Sequence, residues 1–255
     1  MTSYDGRHAD LYDIFYSEKP YAEEAAFVDQ CLKKHSDGHT RRLLELACGT
    51  GTHAFELEKR GYQIVATDYS PDMLRRARQK ASERSSRVRF ELQDMSNLDV
   101  SEAPFDAAVC LFDAIGYVAT NDALAKVFSG VYKHLRTGGL FVFEFWHAAA
   151  MIRHYDPVRV RRWQTNDTEI LRISETSLEL AEQLSKIKYS IYELHNSGTY
   201  SSLIETQVNR YFLLQEMVTR VSSTGFTPVK WFAGFVDDEN ITDDTWHILG
   251  VIRRT

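Results

Sequence analysis

The sequence predicts an α/β fold: a mostly parallel sheet with helices on both faces, plus an antiparallel β insert between the fifth strand and the last helix. Three observations predict it. Apolar strand-like runs alternate with helical stripes from residue 43 to about 145, the rhythm of a parallel sheet. A glycine-rich turn, Gly49-Thr50-Gly51, follows the first of those runs. After Trp146 the period changes: Ile187, Tyr189 and Ile191 alternate with Lys188 and Ser190, as in a half-buried antiparallel strand.

Each element has its own signal. Residues 21–34 read as a helix, with Ala25, Ala26, Val28, Cys31 and Leu32 in a rough stripe and Pro20 suited to its first position. Residues 43–47 form a short buried strand, 53–60 a helix closed by Gly61, and 63–67 the next strand. Ser70-Pro71-Asp72 announces a helix, with Ser70 as N-cap and Met73, Leu74, Ala77 and Ala81 on its inner face. Residues 88–92, 105–111 and 139–145 are the third, fourth and fifth strands. Leu124, Val127, Phe128, Val131 and Leu135 mark a helix over 122–135 that stops at Thr137-Gly138-Gly139. Several strands fill about 158–212, with a turn at Asn196-Ser197-Gly198. Residues 213–222 return to helix, ended by Gly225, and 226–233 and 245–252 are closing strands. The expected division is 1–146 with 213–255 as one ligand-binding domain with an N-terminal helical cap, and 147–212 as an insert forming a substrate lid or dimer surface.

Composition narrows the function. The 255 residues are 44% hydrophobic and 26% charged, enough to fill a core. A net charge of -6 argues against a nucleic-acid partner, which calls for a basic face. Cys31, Cys48 and Cys110 are widely spaced with no CxxC pair, pointing to a reducing compartment and no zinc site. The first residues lack the apolar core of a signal peptide. No run approaches the ~18 apolar residues of a membrane span. The expectation is a cytoplasmic protein without a membrane partner.

Gly49-Thr50-Gly51-Thr52-His53-Ala54 fits G-x-G-x-x-A, a weak signal alone. Three acids strengthen it. Glu45 lies within the first strand, where an unpaired acid is costly unless it meets a cation or donor. Asp68 stands where an acid binds ribose hydroxyls, and Asp94 ends the third strand at the same sheet edge. A diphosphate would prefer fewer acids. S-adenosylmethionine carries no phosphate and offers a ribose, an adenine amine and a cationic tail to these groups.

The segments Glu-Leu-Ala-Cys-Gly-Thr-Gly-Thr, Ala-Thr-Asp-Tyr-Ser-Pro-Asp-Met-Leu, Gln-Asp-Met and Leu-Arg-Thr-Gly-Gly-Leu resemble, in order, motifs of class I S-adenosylmethionine-dependent methyltransferases over residues 43–145. The resemblance implies an enzyme with a Rossmann-like seven-stranded sheet whose last strand is antiparallel. It implies that Ala47 and Gly49, with Gly51 in the same turn, line the methionine tail, and that Asp68 binds the ribose. Tyr69 and Met73 would flank the adenine, Asp94 and Met95 would reach its edge, and Leu111 would offer backbone to the tail. Tyr12 and Tyr21 would close over the sulfonium, where aromatic faces suit a cation.

A narrower resemblance rests on Leu-Tyr-Asp-Ile-Phe-Tyr, Phe-Asp-Ala-Ile-Gly-Tyr-Val, Glu-Phe-Trp and the β-rich insert. These are similar to N-methyltransferases that dimethylate nucleotide-linked amino sugars. That subgroup places a histidine where Tyr117 stands here. Tyr117 and Tyr12 are the candidate catalytic residues, and Tyr117, Trp146, His147 and Arg153 the candidate acceptor contacts. Arg153, Arg159, Arg161 and Arg162 fit either phosphate contacts or a solvated, charge-protected strand edge.

Methyl transfer from a sulfonium is an in-line displacement in which orientation can contribute roughly 7–11 kcal/mol. The sequence shows no metal cluster and no acid–base pair, which points to a nitrogen acceptor. The expected acceptor is a small-molecule amine, with S-adenosylhomocysteine as by-product and a homodimer as the common assembly of relatives. The alternatives are methylation of an amino acid, carboxylate or other metabolite, and a non-catalytic S-adenosylmethionine-binding partner. Phe112-Asp113-Ala-Ile-Gly stands where base-modifying enzymes carry Asn/Asp-Pro-Pro-Tyr/Phe.

Overall fold

A computed structural model describes Tyr4 and residues 6–255. In chain order its strands are β1 (Arg42–Glu45), β2 (Gln63–Asp68), β3 (Arg89–Leu92), β4 (Phe105–Cys110), β5 (Leu135–Trp146), β6 (Val158–Gln164), β7 (Thr168–Glu179), β8 (Leu184–His195), β9 (Tyr200–Arg210), β10 (Phe226–Phe232) and β11 (His247–Arg254). Its α-helices are α1 (Arg7–Phe15), α2 (Tyr21–His35), α3 (Thr52–Glu58), α4 (Pro71–Arg84), α5 (Asn121–His134), α6 (Ala148–His154) and α7 (Leu214–Ser222).

The main sheet has seven strands in the order β10-β11-β5-β4-β1-β2-β3. β1 to β5 run parallel, and β11 pairs antiparallel with both β5 and β10. The central strands are apolar on both faces because helices cover both. Val142 joins a core with Val28 and Leu32 of α2 and Ala54 and Leu57 of α3. Phe141 and Phe143 join the opposite core with Leu124, Val127, Phe128 and Val131 of α5 and Met217 and Val221 of α7. α4 starts as its sequence demands: the Ser70 hydroxyl accepts the Met73 N–H at 3.2 Å, with Pro71 in the first position.

Two local expectations are corrected. α5 stops at His134, and Leu135 already has extended backbone, so Thr137-Gly138-Gly139 lies inside β5. Leu135 fits an apolar stripe of either period, so spacing assigned it to the helix. Pro20 precedes α2 as its cap. His147 follows β5 and leads into α6, a seven-residue helix too short to show a periodic stripe.

The second sheet is antiparallel, in the order β6-β7-β8-β9. The chain enters and leaves it at one point, where the Ala148 N–H donates to Phe212 O and the Phe212 N–H donates to Trp146 O, both at 2.9 Å. α1 lies between the two sheets. Its Leu11 and Phe15 pack with Ile170, Ile187, Tyr189 and Ile191, while Ala9 and Tyr12 pack with Met73 of α4. Among the described residues no helix is long and apolar enough to cross a membrane.

Candidate active site

A cavity of about 680 Å³ opens at the carboxyl ends of β1, β2 and β4, beneath α1 and beside the inner face of the antiparallel sheet. Such an edge is where ligands of parallel α/β sheets bind.

On one side the wall is built by the loops after β1 and β2. Ala47 has φ 50°, Gly49 φ 57° and Gly51 φ 79°, so the chain turns sharply as it leaves β1. A non-glycine residue in this region costs of order 1–3 kcal/mol, and such strain clusters at functional sites. Asp68 ends β2 and is buried. Its carboxylate accepts the Gly49 N–H and the Ser70 N–H, each at 2.8 Å, which fixes both oxygens against the glycine turn. Burial raises its pKa above the usual carboxylate range, opposed by those backbone donors.

Glu45 is 2% exposed, and its Oε2 has no hydrogen-bond partner. Burial, and then the charge of Asp68, push its pKa up to about 8. An orphaned buried carboxylate oxygen on a cavity wall fits a cationic ligand group. Met73 and Tyr12 stand over the turn: a Cβ on Gly49 would be in ordinary contact with them, 3.5 Å from Met73 Cε and 4.0 Å from Tyr12 Oη, so it is the backbone at φ 57° that favours glycine there. These residues therefore fit S-adenosylmethionine, with an anionic group for its ammonium, a fixed carboxylate for its ribose and apolar flanks for its adenine.

Aromatic side chains close this half. The Tyr12 and Tyr16 rings lie 4.7 Å apart and the Tyr4 ring 5.5 Å from Tyr12. Tyr21 meets His53 at 4.7 Å, and His53 Nε2 lies 2.7 Å from Glu24 Oε2. Tyr4 is held from both sides: its N–H donates to Glu205 Oε1 at 3.0 Å and its carbonyl accepts the Ser70 hydroxyl at 3.1 Å. The segment before α1 thus ties β9 to the start of α4.

The other half lies past β4. Phe112 and Asp113 are consecutive non-glycine residues at φ 60° and 52°. This kink aims Asp113 inward, where its carboxyl accepts the Trp146 N–H at 2.8 Å and the Asn209 side-chain N–H at 3.2 Å. Burial drives the Asp113 carboxyl far above its usual range. Glu144 behaves oppositely. It accepts the Phe112 N–H at 2.6 Å and lies 2.5 Å from His247 Nδ1, and these partners overcome burial to hold its pKa low.

Tyr117 shares a short hydroxyl contact with Tyr4, and both hydroxyls donate to Gln207 Oε1, at 3.3 and 3.0 Å. Burial raises both phenols well above their ordinary range, so they stay neutral at physiological pH. Beside them Asn209 Oδ1 and Ser185 Oγ are buried without partners, and these two residues face each other in register across β8 and β9.

Of the fifteen residues given catalytic, cofactor or acceptor roles from the sequence, ten line this one cavity: Tyr12, Tyr21, Ala47, Gly49, Asp68, Tyr69, Met73, Leu111, Tyr117 and Trp146; Glu45 lines it as well. Gly51, Asp94, Met95, His147 and Arg153 do not. A Cβ on Gly51 would meet the Phe90 ring at 2.9 Å, so its smallness serves close packing of the turn. Asp94 is exposed and caps the turn behind it, accepting from the Ser96 N–H and hydroxyl at 2.8 Å. Met95 packs beneath the sheet with Leu98 against the α5 core. His147 is buried, with Nδ1 3.2 Å from Thr245 O. Arg153 is exposed on α6, 3.5 Å from Asp244. Of the neighbouring arginines, Arg159 and Arg161 line the cavity, whereas Arg162 pairs with Glu169 at 3.1 Å outside it.

Sequence reasoning missed Tyr4, Asp113, Arg172, Ser185, Gln207 and Asn209. Period-two spacing places Gln207 and Asn209 on one face of a strand, but the rule that polar faces point to solvent sends that face outward. Among the described residues no cluster of His, Cys, Asp and Glu could hold a metal ion.

Comparison with known proteins gives the same direction. The family model of a methyltransferase domain matches residues 43–139. A Bacillus subtilis protein named as a methyltransferase without a stated acceptor is 28% identical over 231 residues, covering 91% of this chain and 90% of that one. The dTDP-3-amino-3,4,6-trideoxy-alpha-D-glucopyranose N,N-dimethyltransferase of Streptomyces venezuelae is 32% identical over 145 residues, or 56% of this chain and 59% of that one. The crystal structure of an S-adenosylmethionine-dependent methyltransferase from Clostridium acetobutylicum superposes with a TM-score of 0.82 at 21% identity, covering 97% of each chain.

Proposed function

We propose that this chain, which is a class I S-adenosylmethionine-dependent methyltransferase, methylates the amine of a small polar acceptor of the amino-sugar class. One observation carries the choice of nitrogen. Asn209 Oδ1 is a buried acceptor with no donor, set among neutral groups beside Tyr117 and Gln207. An amine N–H satisfies it, and a neutral amine, unlike a hydroxyl, needs no base from the protonated Tyr4 and Tyr117 beside it. The Streptomyces venezuelae relative, whose name gives it an amino-sugar acceptor, supports the same class.

S-adenosylmethionine, when bound, supplies a methyl group already activated on a sulfonium sulfur. In this reading Glu45 pairs with its ammonium and Asp68 accepts from its ribose hydroxyls. Tyr69 and Met73 flank the adenine, Leu111 offers backbone to the methionine tail, and Tyr12 and Tyr21 cover the sulfonium side. Trp146 walls the acceptor half. An alkylamine reaches the site neutral by losing a proton to water. Its remaining N–H donates to Asn209 Oδ1, which turns the nitrogen lone pair towards the methyl carbon. The N–C bond forms as the C–S bond breaks, and the surplus proton leaves with solvent. Tyr4 and Tyr117, both protonated, hold the acceptor and take no proton, so positioning carries the catalysis.

The insert, residues 147–212, acts here as the acceptor's lid. A homodimer and a cytoplasmic location belong to the same reading; the exposed Val158 and Val160 on the outer strand β6 offer an apolar edge to a second copy, which sedimentation velocity would detect.

Calorimetry with S-adenosylmethionine and S-adenosylhomocysteine, followed by mass spectrometry of reactions with amino sugars, amino acids, carboxylates and phenols, tests the proposal. Methylated amino sugars are the expected products. Turnover confined to carboxylates or phenols would sink the choice of nitrogen.

A further inference from the structure

Arg76, Lys80 and Arg84 stand four residues apart along α4 and so share one face of that helix. Together they line a second cleft of about 420 Å³, outside the cavity that holds Asp68 and Tyr117. The end of α1 and the turn into α2 line it too, through Asp13, Tyr16, Ser17 and Tyr21. A cleft of this size can take a small molecule.

Lys80 is fully engaged. Its ammonium donates to both oxygens of Asp13, at 2.9 and 3.0 Å, and to the hydroxyls of Thr50 and Thr52, each at 3.0 Å. These bonds clasp α1 to α4 and to the glycine turn. The two arginines are left over. Neither Arg76 nor Arg84 has an ion pair among the described residues. Arg76 Nε is buried without a hydrogen-bond partner. Arg84 is exposed and rests on the Phe55 ring at 5.0 Å. The carboxylates of the cleft do not match them: Asp13 is taken by Lys80, and the exposed Glu83 accepts the Gln79 side-chain N–H at 3.1 Å. Burial and, beyond it, the charges of Arg84 and Arg76 lower the Lys80 pKa against the pull of Asp13, so the three cations feel one another.

Arg76 and Arg84 start ~12 Å apart along the helix axis. A lone phosphate or carboxylate serves one of them; a diphosphate offers an anionic end to each, in the geometry a guanidinium fork prefers. The cleft also shares a wall with the cofactor cavity, since Tyr16, Tyr21 and Thr52 line both. A ligand that fixes these residues from the cleft side braces the cover of the cofactor from behind.

We propose that this cleft is an effector site for a diphosphate group, held by Arg76 and Arg84, whose binding tightens the α1–α2 cover and strengthens cofactor binding. It stands apart from the acceptor and does not depend on the amine reading.

The test is calorimetric titration of inorganic pyrophosphate into the full chain at low ionic strength, with and without S-adenosylhomocysteine. Each ligand is expected to bind about fivefold tighter in the presence of the other, because coupling is reciprocal. Arg76→Gln and Arg84→Gln should each weaken pyrophosphate at least about tenfold, with S-adenosylhomocysteine affinity in its absence unchanged. Arg84 is exposed, so its variant carries the test even where Arg76→Gln fails to fold. ADP titrated into the chain saturated with S-adenosylhomocysteine separates the sources: tighter binding than pyrophosphate, lost in the same variants, assigns a nucleotide, and equal binding assigns the diphosphate alone. No pyrophosphate binding, or binding that survives Arg84→Gln, overturns the proposal. So does binding lost in Arg161→Gln instead, which would place the anion in the main cavity, and so does S-adenosylhomocysteine affinity that stays level or falls when pyrophosphate is bound.

Discussion

At Glu45 a missing partner becomes a measurable proton. Unfolded, this glutamate ionises near 4.5; folded, burial holds its proton up to about 8. The native state therefore binds more protons than the unfolded state between those values, and the residue's contribution to stability falls as pH rises through them. Melting of the ligand-free protein across that window should show the decline, and Glu45→Gln should flatten it. Affinity for S-adenosylmethionine should move the other way, rising through about pH 8 as the carboxylate forms to meet an ammonium. Asp68 makes a sharper prediction. Asp68→Ala removes the acceptor of two backbone N–H groups as well as the proposed ribose contact, and should weaken S-adenosylhomocysteine at least about tenfold by calorimetry. Tyr117→Phe deletes one neutral hydroxyl whose net worth is roughly 0.5–1.5 kcal/mol. Turnover should fall by no more than about tenfold, with cofactor affinity unchanged; complete loss would show that the phenol does more than position.

Among the elements, α1 shows how packing sets the site. One face sits on the antiparallel sheet through Leu11 and Phe15, the other on the cofactor wall through Ala9 and Tyr12. Leu11→Ala should cost about 2–5 kcal/mol. Limited proteolysis should then cut at α1 while the seven-stranded sheet keeps its circular dichroism, and cofactor affinity should drop. The parallel strands were legible because helices bury both their faces, which makes them plain apolar runs such as Leu43-Leu44 and Ala107-Ala108-Val109. Asp68 and the glycine turn were legible because local backbone chemistry dictates them. The acceptor side was not. Gln207, Asn209 and Arg172 are polar residues facing inward on a sheet that borders a cavity, an arrangement alternation alone reads inside out. Asp113 owes its place to two successive left-handed residues, Phe112 and Asp113, a conformation no composition announces.

Across the whole molecule, cofactor and stability are linked. S-adenosylhomocysteine at about a hundredfold excess over its Kd should add about 2.7 kcal/mol. For a chain of this size that corresponds to a rise in Tm of roughly 5–11 °C. Differential scanning fluorimetry should show it, and a nicotinamide dinucleotide should show none. The junction at Trp146-His147 and Phe212 has a wider consequence. The antiparallel sheet leaves the main fold and rejoins it across a single pair of backbone hydrogen bonds. Its outer strands can lengthen, shorten or be replaced by another chain's, provided that β9 keeps Asn209 on Asp113 and Arg210 on Glu216 of α7. Grafting a foreign insert there, with a matching α1, is a route to new acceptors on an unchanged methyl-donor platform.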